Sequence, residues 1–220
     1  MWALKLSFRA YRDFYDQIWT MLLYTAMWWL ALVTVVLAPP ATLLLFHVAD
    51  PRKGHWEERI TFREAIVYFW QNLLRGWKLF AATGLPLALI AFNLQFYGGS
   101  DGIVALIAPI WLFLLIGGFA AFCVVFAVGG TTDDPAGTVL KRGLRVTGLR
   151  LPAILLVLMI TFVLPSILIT SVIYFLTPLV LALPGLLAVA MTRLVLPSIG
   201  EAIPEPNKPT EERLHEKRAD

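Results

Sequence analysis

Arg193, His47 and the pair Asp133-Asp134 are the residues whose type and setting could do chemistry in this 220-residue chain. An ionisable side chain inside a membrane is the usual mark of a transport or relay site. Arg193 lies at the end of an apolar run, seven residues before Gly200. Its long side chain is expected to snorkel to the nearby interface. His47 stands beside Asp50 and has the one side chain that titrates near neutrality when unperturbed, so it could switch with pH. A satisfied interfacial histidine is the simpler expectation. Asp133-Asp134 precedes Pro135, which points to helix capping, with Asp134 as N-cap and Pro135 in the first turn. Asn93 and Gln95 fall at the outer end of their run, where water is near. The 15 carboxylates fall in loops, tails or amphipathic stretches, which leaves no buried pair for proton coupling. There is no HExxH, no Gly-rich phosphate loop and no histidine or cysteine cluster. A single cysteine, Cys123, excludes an internal disulfide. The expectation is therefore no enzyme, no cofactor and no metal.

The elements that carry these residues are membrane elements. The chain is 59% hydrophobic and 15% charged, with a mean hydropathy of +0.74. A soluble domain is about 45–50% apolar and about 25% charged. So much apolar surface exceeds what one soluble core of this size hides, and it also excludes a disordered chain. The net charge of +3 suggests no nucleic-acid partner, because no basic domain is present. Asp101 is the only charge between Leu79 and Gly130, and Leu151 to Thr192 has none. Each stretch holds two crossings of about 20 residues. Helices are expected at 77–97, 103–129, 151–174 and 180–199, with turns at Tyr97–Gly102 and near Pro178. Ile18 to Leu37 supplies a fifth run, which reads as a retained helix and not as a cleaved signal. Ala41 to Val48 is too short to cross, so it either extends a kinked helix or returns as a short re-entrant arm. The fold expected is all-α: a polytopic transmembrane helix bundle over 1–199, with five full spans, a re-entrant short arm and amphipathic interfacial helices. Residues 200–220 form a polar cytoplasmic tail whose prolines Pro204, Pro206 and Pro209 oppose a helix.

Lysine and arginine near span ends mark the cytoplasmic side. Arg52, Lys53, Arg59, Arg63, Arg75 and Lys78 cluster in one link; Lys141, Arg142, Arg145 and Arg150 cluster in another. The turn at 97–102 has none. The links and the C-terminus are therefore expected inside a bacterial inner (plasma) membrane. If the N-terminus with Lys5, Arg9 and Arg12 is also inside, residues 18–49 form a hairpin with Pro39 and Pro40 at its tip. If it is outside, they form one kinked crossing.

Three amphipathic stretches lead straight into apolar runs: Phe8 to Gln17, Thr61 to Trp77 and Pro135 to Arg150. The first two align at an offset of 55, placing Ala10, Phe14, Tyr15, Gln17 and Ile18 on Ala65, Phe69, Trp70, Asn72 and Leu73. As a repeat, each unit would be an interfacial helix plus a membrane hairpin, all starting on the cytoplasmic side. Thr61-Phe62-Arg63-Glu64 reads as a capping box. Val139, Leu140, Leu144, Val146 and Leu149 should share one face of the third stretch. Phe69, Trp70, Lys141, Arg142 and Arg145 are the candidate contacts with the lipid bilayer, with its anionic headgroups, or with other membrane-protein subunits.

The run Ala38-Pro39-Pro40-Ala41-Thr42-Leu43, the short arm, the basic link and the aromatic segment Phe62 to Asn72 leading through Arg75-Gly76-Trp77-Lys78 resemble the YesL-like family of bacterial integral membrane proteins. The likeness extends over nearly the whole chain in layout, with its specific residues at 38–78; the long polar tail departs from it. It implies an accessory role, beside a carbohydrate transporter, and carries no catalytic residues. The function expected is a non-catalytic accessory or assembly subunit of a membrane complex; the alternative is a small solute transporter or channel in its own right.

Overall fold

A computed structural model describes residues 2–52, 60–98, 107–167 and 181–200. Every regular element among them is helical. These are α1 (Trp2–Asp16), α2 (Ile18–Val33), α3 (Ala38–Val48), α4 (Phe62–Gln71), α5 (Leu73–Gly98), α6 (Ala108–Thr131), α7 (Ala136–Leu158) and α8 (Leu183–Val195). A π-helical turn, Met159–Val163, prolongs α7, and a 3₁₀ turn, Leu196–Ile199, follows α8. The turn glycines 99 and 102, the expected break at Pro178 and the tail after Gly200 lie outside the described residues.

Three helices are long and apolar enough to cross a membrane: Leu73–Tyr97, Ala108–Thr131 and Ala136–Ile167. The segments Ile18–Val33, Ala38–Val48 and Leu183–Ile199 are apolar but shorter. At 1.5 Å per residue, the 16 residues of α2 rise about 24 Å, less than the hydrocarbon thickness of about 30 Å.

One backbone break occurs three times. Gln17 between α1 and α2 has φ −117°, ψ 23°. Asn72 between α4 and α5 has φ −101°, ψ 12°. Arg150, inside α7, has φ −125°, ψ 19°. Each ends an amphipathic helix and starts an apolar one. At Arg150 the cause is Pro152, whose ring collides with the preceding turn and whose missing N–H opens the ladder. Seven residues before each break stands a small residue: Ala10, Ala65 and Gly143. Ala10 and Ala65 are fully buried, and a Cβ on Gly143 would meet the Val125 side chain at 2.6 Å and its Cα at 2.9 Å. The echo at offset 55 is thus matched in three dimensions, and α7 supplies a third copy.

The three units close into a ring. Each contains an amphipathic helix, an outgoing apolar helix and a returning one. The returning helices α3, α6 and α8 pack on one another in the centre. Nine of the 11 residues of α3 are buried, as are Cys123–Thr131 of α6 and all of α8 except Pro184. Each amphipathic helix makes its largest contact with the returning helix of the preceding unit: α4 on α3, the first half of α7 on α6, and α1 on α8. Val139 and Val146 accordingly face the protein, whereas Leu144 and Leu149 are exposed. The expected single apolar face of that stretch is split, because α6 takes only the strip centred on Gly143.

Residues 18–48 form a helical hairpin. Asp13 pairs with Arg193, and Ala49 O accepts from the hydroxyl of the adjacent Thr192, at 3.0 Å. The chain therefore leaves and returns at one turn of α8, which excludes a single kinked passage. The tip is Thr34–Leu37, where Val35 adopts a left-handed φ of 57°. Pro39 and Pro40 are not the tip. They occupy the first turn of α3, where a missing N–H costs nothing.

The π turn has its own cause. The Leu164 N–H bonds to Met159 O, and Pro165 has no N–H to offer Ile160 O. The hydroxyl of Tyr11 donates to that carbonyl instead, at 3.0 Å, tying α1 to α7.

Candidate functional site

α4 starts with the capping box read from the sequence. The Thr61 N–H donates to Glu64 Oε2 at 2.7 Å, and the Glu64 N–H to Thr61 Oγ1 at 3.3 Å. Donation from the Thr61 N–H, aided by the Thr61 side chain, favours the ionised carboxylate and holds Glu64 below its ordinary pKa. The cap fixes the direction of α4 as it lies on α3. Between α4 and the α2–α3 hairpin a groove of about 420 Å³ remains open. Phe69 and Trp70 form one wall, with Ile66; Met27, Ala31, Leu44 and Leu45 face them. The two rings meet edge to face with centroids 5.5 Å apart. Two polar groups on the hairpin side are already used. Trp28 Nε1 donates to Thr42 Oγ1 at 2.9 Å, and the Thr34 hydroxyl donates to Ala31 O at 2.7 Å. The groove presents a mostly apolar surface, with the Tyr24 hydroxyl and the Trp70 N–H as its remaining polar groups.

Beside it, the C-terminal end of α6 is capped by three side chains from other elements. His47 donates through Nδ1 to Gly130 O at 2.9 Å. Arg52 donates to Thr131 O and Arg75 to Thr132 O, both at 2.6 Å. These carbonyls have no partner within their own helix, and cations are favoured at that end of the dipole. Asp50, fully buried, holds Arg52 by a bidentate pair. Tyr68 stacks on His47 with ring centroids 3.6 Å apart, and burial raises its phenol pKa, with nearby Arg75 opposing. A Cβ on Gly130 would lie 2.7 Å from His47 N, so glycine is required for this approach.

The sequence-predicted candidates separate. Phe69 and Trp70 line the groove. Lys141 and Arg145 are exposed on the flank where α7 packs on α6. Arg142 pairs with Asp134 at 2.7 Å. Asp134 is thus an ion-pair partner and not an N-cap; Pro135 itself holds that position, with no side-chain cap. Arg193 does not snorkel. Its side chain is 8% exposed and pairs with Asp13, which is 18% exposed. Burial raises the pKa of Asp13, and Arg193 lowers it in opposition. Asp50 is fully buried and Asp13 partly so, each in a link or amphipathic stretch as expected and each paired with an arginine. Neither was legible, because each lies in a segment that reads as exposed until the ring closes. One pattern is easily missed: Gly98-Gly99-Ser100-Asp101-Gly102 has the spacing of a nucleophile elbow, which needs a preceding strand. Here α5 precedes it.

No family model, curated protein or solved structure matches this chain.

Proposed function

We propose that this chain is a non-catalytic, multi-pass protein of the bacterial inner membrane, serving as an accessory or assembly subunit of a membrane complex. The observation that carries the reading is how its buried polar groups are spent. The buried threonines 25, 42, 83, 131, 147, 161 and 192 each return their hydroxyl to the carbonyl four residues earlier. Asp50 is held by Arg52, and Arg193 by Asp13. Among the described residues α3, α6 and α8 meet through buried apolar side chains, and the polar groups just named are bonded within the protein, which favours a scaffold over a conduit. The basic residues Lys5, Arg63, Lys141 and Arg145 are exposed on the amphipathic helices, as a cytoplasmic face toward anionic headgroups requires. The topology that follows keeps both termini inside, with α2–α3 re-entrant. The likeness to YesL-like proteins adds a carbohydrate transporter as the neighbour. Purification of the full chain from its native membrane in mild detergent tests the reading. A stoichiometric membrane-protein partner is the expected result. Solute flux through liposomes holding this protein alone would overturn it in favour of a transporter or channel.

A further inference from the structure

We propose that the groove between α2, α3 and α4 holds one acyl chain of an anionic membrane phospholipid, with the headgroup against Arg63. This is independent of the accessory-subunit reading. The lining fixes the chemistry. Ala31, Leu44, Leu45 and Ile66 offer only apolar surface, the Tyr24 hydroxyl and Trp70 N–H are the polar edges of a lining that is otherwise carbon, and the nearby Trp28 N–H and Thr34 hydroxyl are already bonded within the protein. An occupant that needed hydrogen bonds would lose them here.

The volume fixes the shape. At about 420 Å³ the groove lies in the range of roughly 300–1,000 Å³ typical of small-molecule sites. One helical turn with its side chains, about 10 Å across and about 5.4 Å high, would fill it alone. A docked helix anchors through positions spread over two turns, so a single extended hydrocarbon chain fits where a partner helix does not.

The surroundings fix the source. Away from the groove α2 exposes Trp19, Leu23 and Val33, so the hairpin bearing the groove is itself dressed for hydrocarbon. Arg63 is exposed and precedes Ile66 by three residues and Trp70 by seven, which puts it on the same helical face one turn beyond the groove. Glu64, its neighbour, is turned back into the capping box. A guanidinium at the end of an apolar slot on an amphipathic helix is complementary to a phosphate joined to an acyl chain.

The test uses the full chain in nanodiscs of equal phosphatidylglycerol and phosphatidylcholine, released into native mass spectrometry. The parent is expected to retain one phosphatidylglycerol. Ala31→Trp, which fills the groove, should lower retention by about tenfold or more. Ile66→Trp fills it from an exposed position and serves where the first variant does not fold. Arg63→Gln should fold like the parent and keep a bound lipid while losing the preference for phosphatidylglycerol. Undiminished retention in a folded groove-filled variant, a parent that retains no lipid or a second copy of itself, or a preference untouched by Arg63→Gln would each overturn the proposal.

Discussion

Arg193 and Asp13 show what a single pair of residues does here. Together they join α1 to α8. A charge withdrawn from water is tolerated only beside its counter-charge, and removal of one partner strands the other. Arg193→Met should therefore destabilise the protein by about 3 kcal/mol or more. The double variant Asp13→Leu/Arg193→Met should recover most of that loss, because neither charge is left buried. Thermal melting in mild detergent checks both; a single variant as stable as the parent would show that the pair contributes nothing. Composition cannot reveal such a pair, since 180 positions separate its members and only the ring makes them neighbours.

Each amphipathic helix buries a small residue seven positions before the break. Replacing Ala10, Ala65 or Gly143 by leucine should lower stability by about 1–3 kcal/mol, because the added carbons enter a filled contact. The same change at Gly148, where nothing lies within 4 Å of an added Cβ, should be neutral or mildly stabilising. Equal losses at Gly143 and Gly148 would remove the argument. Element positions were legible wherever the physics is local. The charge-free runs mark α5 and α6, the capping box starts α4, and Gln17 and Asn72 stand at the same register of an aromatic-rich repeat. Contacts between elements were not. Periodicity shows that a face is apolar, but not whether lipid or protein covers it. Leu144 and Val146 look alike in sequence and end in different places.

Among the described residues one plan occurs three times: an amphipathic helix, an apolar helix and a further apolar helix, the last of each set packing at the centre. Sequence reasoning reached the all-helical class with helices apolar enough to cross a membrane, three long enough where five full spans were expected, and the hairpin alternative for residues 18–49; Phe69 and Trp70, named as contacts, line the groove. It missed the tip of that hairpin, since a double proline reads equally well as a turn or as the first turn of a helix. It also missed the groove, which exists only where α4 leans on α3 beside α2. The most direct test of the three-unit plan is side-specific cysteine labelling in a Cys123→Ser background. Lys5→Cys in the first unit, Asp133→Cys before the third and Ser100→Cys between the long helices are treated with an impermeant maleimide on intact spheroplasts. The plan predicts that Ser100→Cys is labelled at once and that Lys5→Cys and Asp133→Cys are labelled only after permeabilisation. Labelling of Lys5→Cys together with Ser100→Cys from outside would make residues 18–48 a single crossing and contradict the ring.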